Sequence, residues 1–372
     1  MACGVRYKVM FDMRALLEFP AIRGIQAGRE YYVSMCPLSL VSKIFLFNEA
    51  GLTPELRAQR QLNRGRVPEM VRYLVENPST YVFSAITASI DGDAKFTPIR
   101  ATTDDQVGVL AVPMTSKIII NDGQHRRAAI EAALEESPSL ADETIAVVLF
   151  HDRGLSRCQQ MFADLNRYAI RPSRSLSVLY DHRDDQALLA KLVVRRLPGL
   201  SDLVEMERSS LSPRSKALFT LSAIYTATSA LLTDIDIDGS DARAEAAAKF
   251  WGDVVEQMPQ WEQVRRGALT AGALRDGYIH SHGVVLHALG RVGNTILKFR
   301  TKGKTPLNGL RDIDWRREAP IWEGRAVVAG RMSKTHQSVT LTGNTIKAHL
   351  RLPLSAEEQV LEDAFKRQAN VT

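Results

Sequence analysis

The spacing of apolar residues along the chain changes character near residue 180. Before it, short apolar runs alternate with helical patterns; after it, helical spacing dominates. Residues 31 to 47, YYVSMCPLSLVSKIFLF, are aromatic and β-branched enough for one or two strands, with Pro37 between them. LTPELRAQRQLNRGR starts a helix, with Thr53 as cap, Pro54 at the first helical position and Glu55 suited to the N-terminal dipole. Gly65 and Pro68 break it, and EMVRYLVEN begins another. YVFSAITASIDG, 81 to 92, predicts a strand of mixed burial closed by an Asp-Gly turn.

Further on, RAAIEAALEE predicts a helix with Ala129, Ile130, Ala133 and Leu134 on its apolar positions. TIAVVLF, 144 to 150, is an apolar run of the kind a buried sheet uses. In LSRCQQMFADLNRYA, Leu155, Cys158, Met161, Phe162 and Leu165 share one helical face. Residues 1–175 therefore predict an α/β domain. Beyond them, DQALLAKLVVRRL, SKALFTLSAIYTATSALL, ARAEAAAKFWGDVVEQM and GVVLHALGRVGNTILKF all carry helical patterns, so 176–372 predicts a mainly α-helical domain. The tail, SAEEQVLEDAFKRQANVT, predicts a short charged terminal helix.

The length of 372 residues suits two domains. No apolar run approaches the roughly 20 residues of a membrane helix, and the N-terminal stretch lacks the pattern of a signal peptide. Cys3, Cys36 and Cys158 are odd in number and widely spaced, which fits a reducing cytoplasm better than a disulfide framework. A net charge of +6 with clustered arginines is compatible with nucleic-acid binding, a property shared by many enzymes.

The densest chemistry lies in SKIIINDGQHRR, residues 116 to 127, where an apolar run ends in a polar turn that opens a helix. A helix starting near Gln124 leaves its first N–H groups without intrahelical partners and carries partial positive charge there. Gly123 allows a sharp turn and close backbone approach; Arg126 offers a donor fork, and His125 a donor whose charge changes near neutral pH. Together these residues suit an anion such as a nucleotide phosphate. Asp122 would repel an anion, so it must cap the helix, hold Arg126 or bind a metal. An ordinary strand, turn and capped helix remains the other reading.

DGQHR at 122–126, between an apolar strand and an Ala-rich helix, resembles the signature of DGQHR-domain proteins, which are similar to the ParB/sulfiredoxin-like group. RAQRQLNRGRVPEMVRYL, YVFSAITASIDG, MFADLNRYAIRPSRSLSVLYDHRD, SPRSKALFTLSAIY and YIHSHGVVLHALGRVG extend the likeness to the DndB family of bacterial DNA phosphorothioation systems, over most of residues 20 to 300. The resemblance implies a ParB/sulfiredoxin-like α/β domain at 1–175. It also implies a DNA-binding repressor of a DNA sulfur-modification operon, with double-stranded promoter DNA as partner and other phosphorothioation proteins and a homo-oligomer as further candidates. ATP or another NTP, with Mg2+, is the implied cofactor, bound by Asp122, Gly123, Gln124, His125 and Arg126, with Asn166 and Arg167 as weaker candidates. Were the protein an NTP-hydrolysing or DNA-nicking enzyme, Asp122, His125 and Arg126 would be its catalytic candidates. A non-catalytic scaffold is the third alternative.

Arg57, Arg60 and Arg64 recur at three- and four-residue spacing with Arg66 beyond, a stripe suited to phosphates and equally to a solvated face. RPSRS adds Arg171 and Arg174 as DNA-contact candidates. His280, His282 and His287 lie close together without a Cys or carboxylate at ligand spacing, so capping or core hydrogen bonding is the expectation. Asp234, Asp236, Asp238, Gly239 and Glu245 fit a calcium-loop pattern formally, but Asp241 stands where such loops carry an apolar residue, and a solvated linker is expected. Cys158 sits on an apolar face and is expected in the core. No metal site is assigned.

Overall fold

A computed structural model of the chain describes residues 15–45, 64–99, 105–153, 157–167, 172–299 and 306–369. Contacts divide the chain into two units, Met1–Ile170 and Arg171–Thr372.

The first unit is built on a seven-stranded mixed sheet: β1 Leu16–Gln26, β2 Arg29–Pro37, β3 Ile86–Asp91, β4 Lys95–Pro98, β5 Val107–Pro113, β6 Lys117–Asp122 and β7 Thr144–His151. Their spatial order is β4-β5-β1-β2-β7-β3-β6. The β3–β7 pairing is parallel and the others are antiparallel. Along β7 only alternate residues, Ile145, Val147 and Leu149, are fully buried, so the apolar run has one face in the core and one partly covered. β3 and β6 are buried on both faces, with Ile86, Ala88, Ile90, Ile118 and Ile120 inside. Helices α1 Leu38–Ile44, α2 Val67–Glu76 and α3 Gln124–Glu136 pack together and contribute Val41, Val71, Leu74, Ala129, Ile130 and Ala133 to the same core. Helix α4, Cys158–Arg167, lies beside β6.

Two expectations are corrected here. The stretch after Pro37 is helix, not a second strand: Leu38, Val41 and Phe45 are buried at helical spacing, and that burial overrides the strand preference of the composition. The 81–92 strand spans only Ile86–Asp91; ahead of it Tyr81 and Phe83 stack edge to face outside the ladder. The apolar pattern of the sequence predicts no strand at β1, β4 or β5.

The second unit is mainly helical: α5 Arg174–Tyr180, α6 Asp185–Arg196, α7 Leu221–Leu231, α8 Ser240–Glu256, α9 Pro259–Arg265, α10 Ala271–Gly277, α11 Gly283–Phe299, α12 His336–His349 and α13 Ala356–Ala369. Two short strand pairs, Val204–Glu205 with Phe219–Thr220 and Val327–Val328 with Arg331–Met332, accompany them. Trp251, Trp261 and Trp322 fill its core. Helices α7 and α11 approach so closely that a Cβ on Gly290 would fall 2.1 Å from the Ala227 carbonyl oxygen. The acidic stretch before α8 is exposed at Asp234, and Asp241 and Glu245 lie inside the helix, where Asp241 pairs with Arg196 at 2.9 Å.

Candidate functional site

Strand β6 delivers its last residue, Asp122, opposite Thr87, where the β3 register shifts by a bulge. The chain then turns through Gly123 at φ +109° and enters α3. An L-residue is strained at that angle, and a Cβ would also sit 3.0 Å from Ile86 Cγ1 and 3.2 Å from Arg126 Nη2. Only glycine meets both conditions. The first intrahelical bond runs from Arg127 N to Gly123 O, and no side chain caps the helix start.

Of the three roles open to Asp122, the geometry matches the hold on Arg126. Arg126 Nη2 donates to Asp122 Oδ2 at 2.6 Å and to Ala85 O at 3.1 Å. The guanidinium is mostly buried, while the carboxylate is half exposed. Arg126 Nε is buried without a hydrogen-bond partner among the described residues. Gln124 is buried, and its amide donates to Asn121 O at 3.3 Å, so it braces the turn from within. Arg127 faces away, donating to Phe45 O and Ser42 O at the end of α1 and pairing with Glu131.

His125 is partly buried. Burial lowers its pKa first, the Arg66 and Arg126 charges lower it further, and Asp122 opposes them. Arg66, assigned from sequence to a DNA-facing stripe, thus has its charge felt at the turn. It occupies the short 3-10 turn Arg64–Arg66 that leads into α2, which packs on α3.

Behind the turn runs a polar chain that sequence reasoning missed. Asn121 Nδ2 donates to Ser89 Oγ at 2.8 Å, and Cys158 Sγ donates to Asn121 Oδ1 at 2.8 Å, all three side chains being buried. The thiol is a core group, and it ties α4 to β6. The available signal was Asn121, a polar residue closing the IIIN run. A second missed group is Asp152, buried just after β7, where it accepts from Arg157 N at 3.0 Å.

The remaining candidates are placed as follows. Arg57, Arg60 and Arg171 lie outside the described residues; for Arg64, Asn166 and Arg167 only the backbone is described. Arg174 opens α5 in the second unit, with its guanidinium over the Tyr225 ring at 5.7 Å. His280 Nδ1 accepts from Trp261 Nε1 at 3.0 Å, and His282 Nε2 donates to Arg275 O at 2.8 Å. Each is committed to a protein partner. Burial pushes His280 down to about 3.

The turn suits an oxyanion: backbone without a Cβ, an uncapped helix start and the basic side chains of His125 and Arg126, the latter pre-positioned. For a phosphate-bound magnesium, the turn provides a single carboxylate, Asp122, with Arg126 on one of its oxygens.

No helix among the described residues is long and apolar enough to cross a membrane. Neither the curated proteins nor the solved structures compared with the chain gave a match. A family model described as DndB, DNA-sulfur modification-associated, matches residues 19–353. The match takes in both units, from β1 to the loop before α13, and the chain belongs to the DndB family of DNA-sulfur modification-associated proteins.

Proposed function

We propose that this protein is a DNA-binding regulator of a DNA phosphorothioate modification operon, and that a nucleotide held at residues 122–126 tunes its hold on DNA. Family membership supports the link to DNA sulfur modification. The nucleotide reading is carried by one observation: an uncapped helix start behind a glycine at φ +109°, with Arg126 fixed by Asp122 and the Arg66 charge acting on His125. Phosphate oxygens would meet the N–H groups of the first turn, and Arg126 would add a charge-assisted contact. The ParB/sulfiredoxin-like assignment of the first unit belongs to this reading. So do double-stranded operon DNA, other phosphorothioation proteins and self-association as partners.

The deciding experiment measures binding to the upstream DNA of the protein's own operon by fluorescence anisotropy, with and without ATP and Mg2+. Hydrolysis is followed in the same tube. A selective, nucleotide-dependent affinity is expected; equal affinity for operator and unrelated DNA under all conditions defeats the regulator reading.

One observation bears on hydrolysis. Burial and the Arg66 and Arg126 charges disfavour the protonated form of His125, which would suit it to accept a proton near the half-exposed Asp122. Asp122→Asn should keep nucleotide binding and abolish turnover if the carboxylate positions a reacting water. Retained turnover leaves Asp122 as the holder of Arg126 alone.

A further inference from the structure

The second unit contains another concentration of basic groups, assembled from segments far apart in sequence. On α11, His287, Arg291, Asn294 and Lys298 fall on one helical face, and they line a cavity of about 460 Å³. His336 and Lys347 of α12 line it too. Among the described residues the lone lining carboxylate is Glu358, and it is fully engaged. Lys347 Nζ donates to both its oxygens at 2.7 and 2.8 Å, Arg291 Nη2 to Oε1 at 3.3 Å and Ser355 N to Oε2 at 3.0 Å. One buried carboxylate thus serves two cations. Among the described residues Lys298 has only Asp234, exposed and 3.9 Å away.

Burial first holds His287 down to about 4, and the charges that add to it, those of Lys334, Arg291, His336 and Arg174, are all basic. Lys334 is itself lowered, by burial and by Arg174, with no carboxylate partner among the described residues. Gathering like charges around a concave site is unfavourable for the empty protein and is relieved by a multivalent anion. The rest of the wall is mixed: Ala230, Phe299, Pro353 and Leu354 are apolar, and Thr233, Thr295 and Ser355 carry hydroxyls. The volume lies in the range of small-molecule sites.

We propose that this cavity binds an organic phosphate of nucleotide type, its anionic group held by His287, Arg291 and Lys298 and its flat apolar part against Phe299 and Leu354. Arg291 is pre-positioned by Thr340 Oγ1 at 2.6 Å and by Glu358, whereas Lys298 at the half-exposed rim is free to close on the ligand.

The test is calorimetric titration of the full chain with ATP, pyrophosphate and a 12-base-pair duplex. Arg126→Ala and the double variant His287→Gln, Lys298→Gln are compared with wild type. The double variant leaves the Lys347–Glu358–Arg291 contacts in place, and an unchanged thermal transition verifies its fold. The double variant should lose roughly ten- to hundredfold in affinity for ATP, the equivalent of one lost charged contact. That loss should persist in the Arg126→Ala background. Unaltered ATP affinity in the double variant overturns the cavity site, and so does a loss confined to the duplex, which would assign the cations to nucleic acid. Loss of all ATP binding in Arg126→Ala overturns it equally, leaving the turn as the sole site. An ATP isotherm untouched by Arg126→Ala but weakened in the double variant upholds the cavity and counts against the turn.

Discussion

Among the described residues, the ion pairs of the sheet unit all have exposed carboxylates, whereas the helical unit adds buried pairs to exposed ones such as Arg196–Asp241. In the sheet unit the ion pairs Arg23–Asp105, Arg126–Asp122 and Arg153–Asp93 all keep a carboxylate at least 40% exposed. In the helical unit Lys347–Glu358 is 4% and 6% exposed, and Arg325–Glu362 is 12% and 8% exposed. The sheet exposes polar groups where strands end and turn, so its charges gather at such ends. Packed helices α12 and α13 have no such edge along their shared face, and charges placed there must be paired to be tolerated. Exposed pairs leave side chains able to exchange a protein partner for a ligand. Buried pairs are structural, and they polarise the cavity beside them.

The largest effect should come from breaking a buried pair. Glu358→Ala strands Lys347 and loosens Arg291, and should cost about 3–5 kcal/mol of stability. All four tryptophans lie in the helical unit, so intrinsic fluorescence in a denaturant titration reports that unit alone. A loss under about 1 kcal/mol, the scale of exposed pairs, would erase the contrast between the units.

Acid should separate them next. His280 has its pKa depressed to about 3 by burial, so the folded state refuses a proton that the unfolded chain accepts near 6.5. Its contribution is fully present above pH 6.5 and is lost as pH falls below it, with a slope of about 1.4 kcal/mol per pH unit. Between pH 6.5 and 5 the tryptophan transition should shift steeply, and His280→Gln, which keeps an acceptor for Trp261, should flatten the slope. An unaltered slope in that variant would remove His280 as the cause.

In the sheet unit the comparison sharpens at Gly123. Alanine there must adopt φ near +109° against Ile86 and Arg126, a strain of about 1–3 kcal/mol. The Gly123→Ala variant should lower the far-ultraviolet circular dichroism transition of the sheet unit and leave the tryptophan transition in place. A shift of both would mean that the units unfold together. The smallest effect belongs to Arg153→Ala: its exposed pair with Asp93 should contribute less than about 1 kcal/mol in the same melt. A larger loss would show that exposure is a poor guide to these pairs.

Part of this was readable beforehand. β7 and α3, the α4 segment and the main helices of the second unit follow from local spacing of apolar residues. β1 and β5 do not, because neither alternates cleanly between apolar and polar positions and their mutual pairing spans about ninety residues, although each also has a nearby partner, β2 or β4. The terminal helix was legible as charged, yet its Glu358 and Glu362 are buried, a consequence of α12 packing against it rather than of its own pattern.

The DGQHR turn is a local object. Its glycine, its helix start and the Asp122–Arg126 pair at i, i+4 arise from neighbouring residues, so the string of letters already carried the chemistry. The charge of Arg66 at His125, the Ser89–Asn121–Cys158 chain and the junction of Arg291, Lys347 and Glu358 are not local. They bring together groups separated by between 11 and 69 residues, and no spacing rule encodes such meetings. Backbone dihedrals and short-range side-chain pairs are set residue by residue along the chain, whereas the sharing of one carboxylate by two distant cations exists only once helices have packed and excluded water.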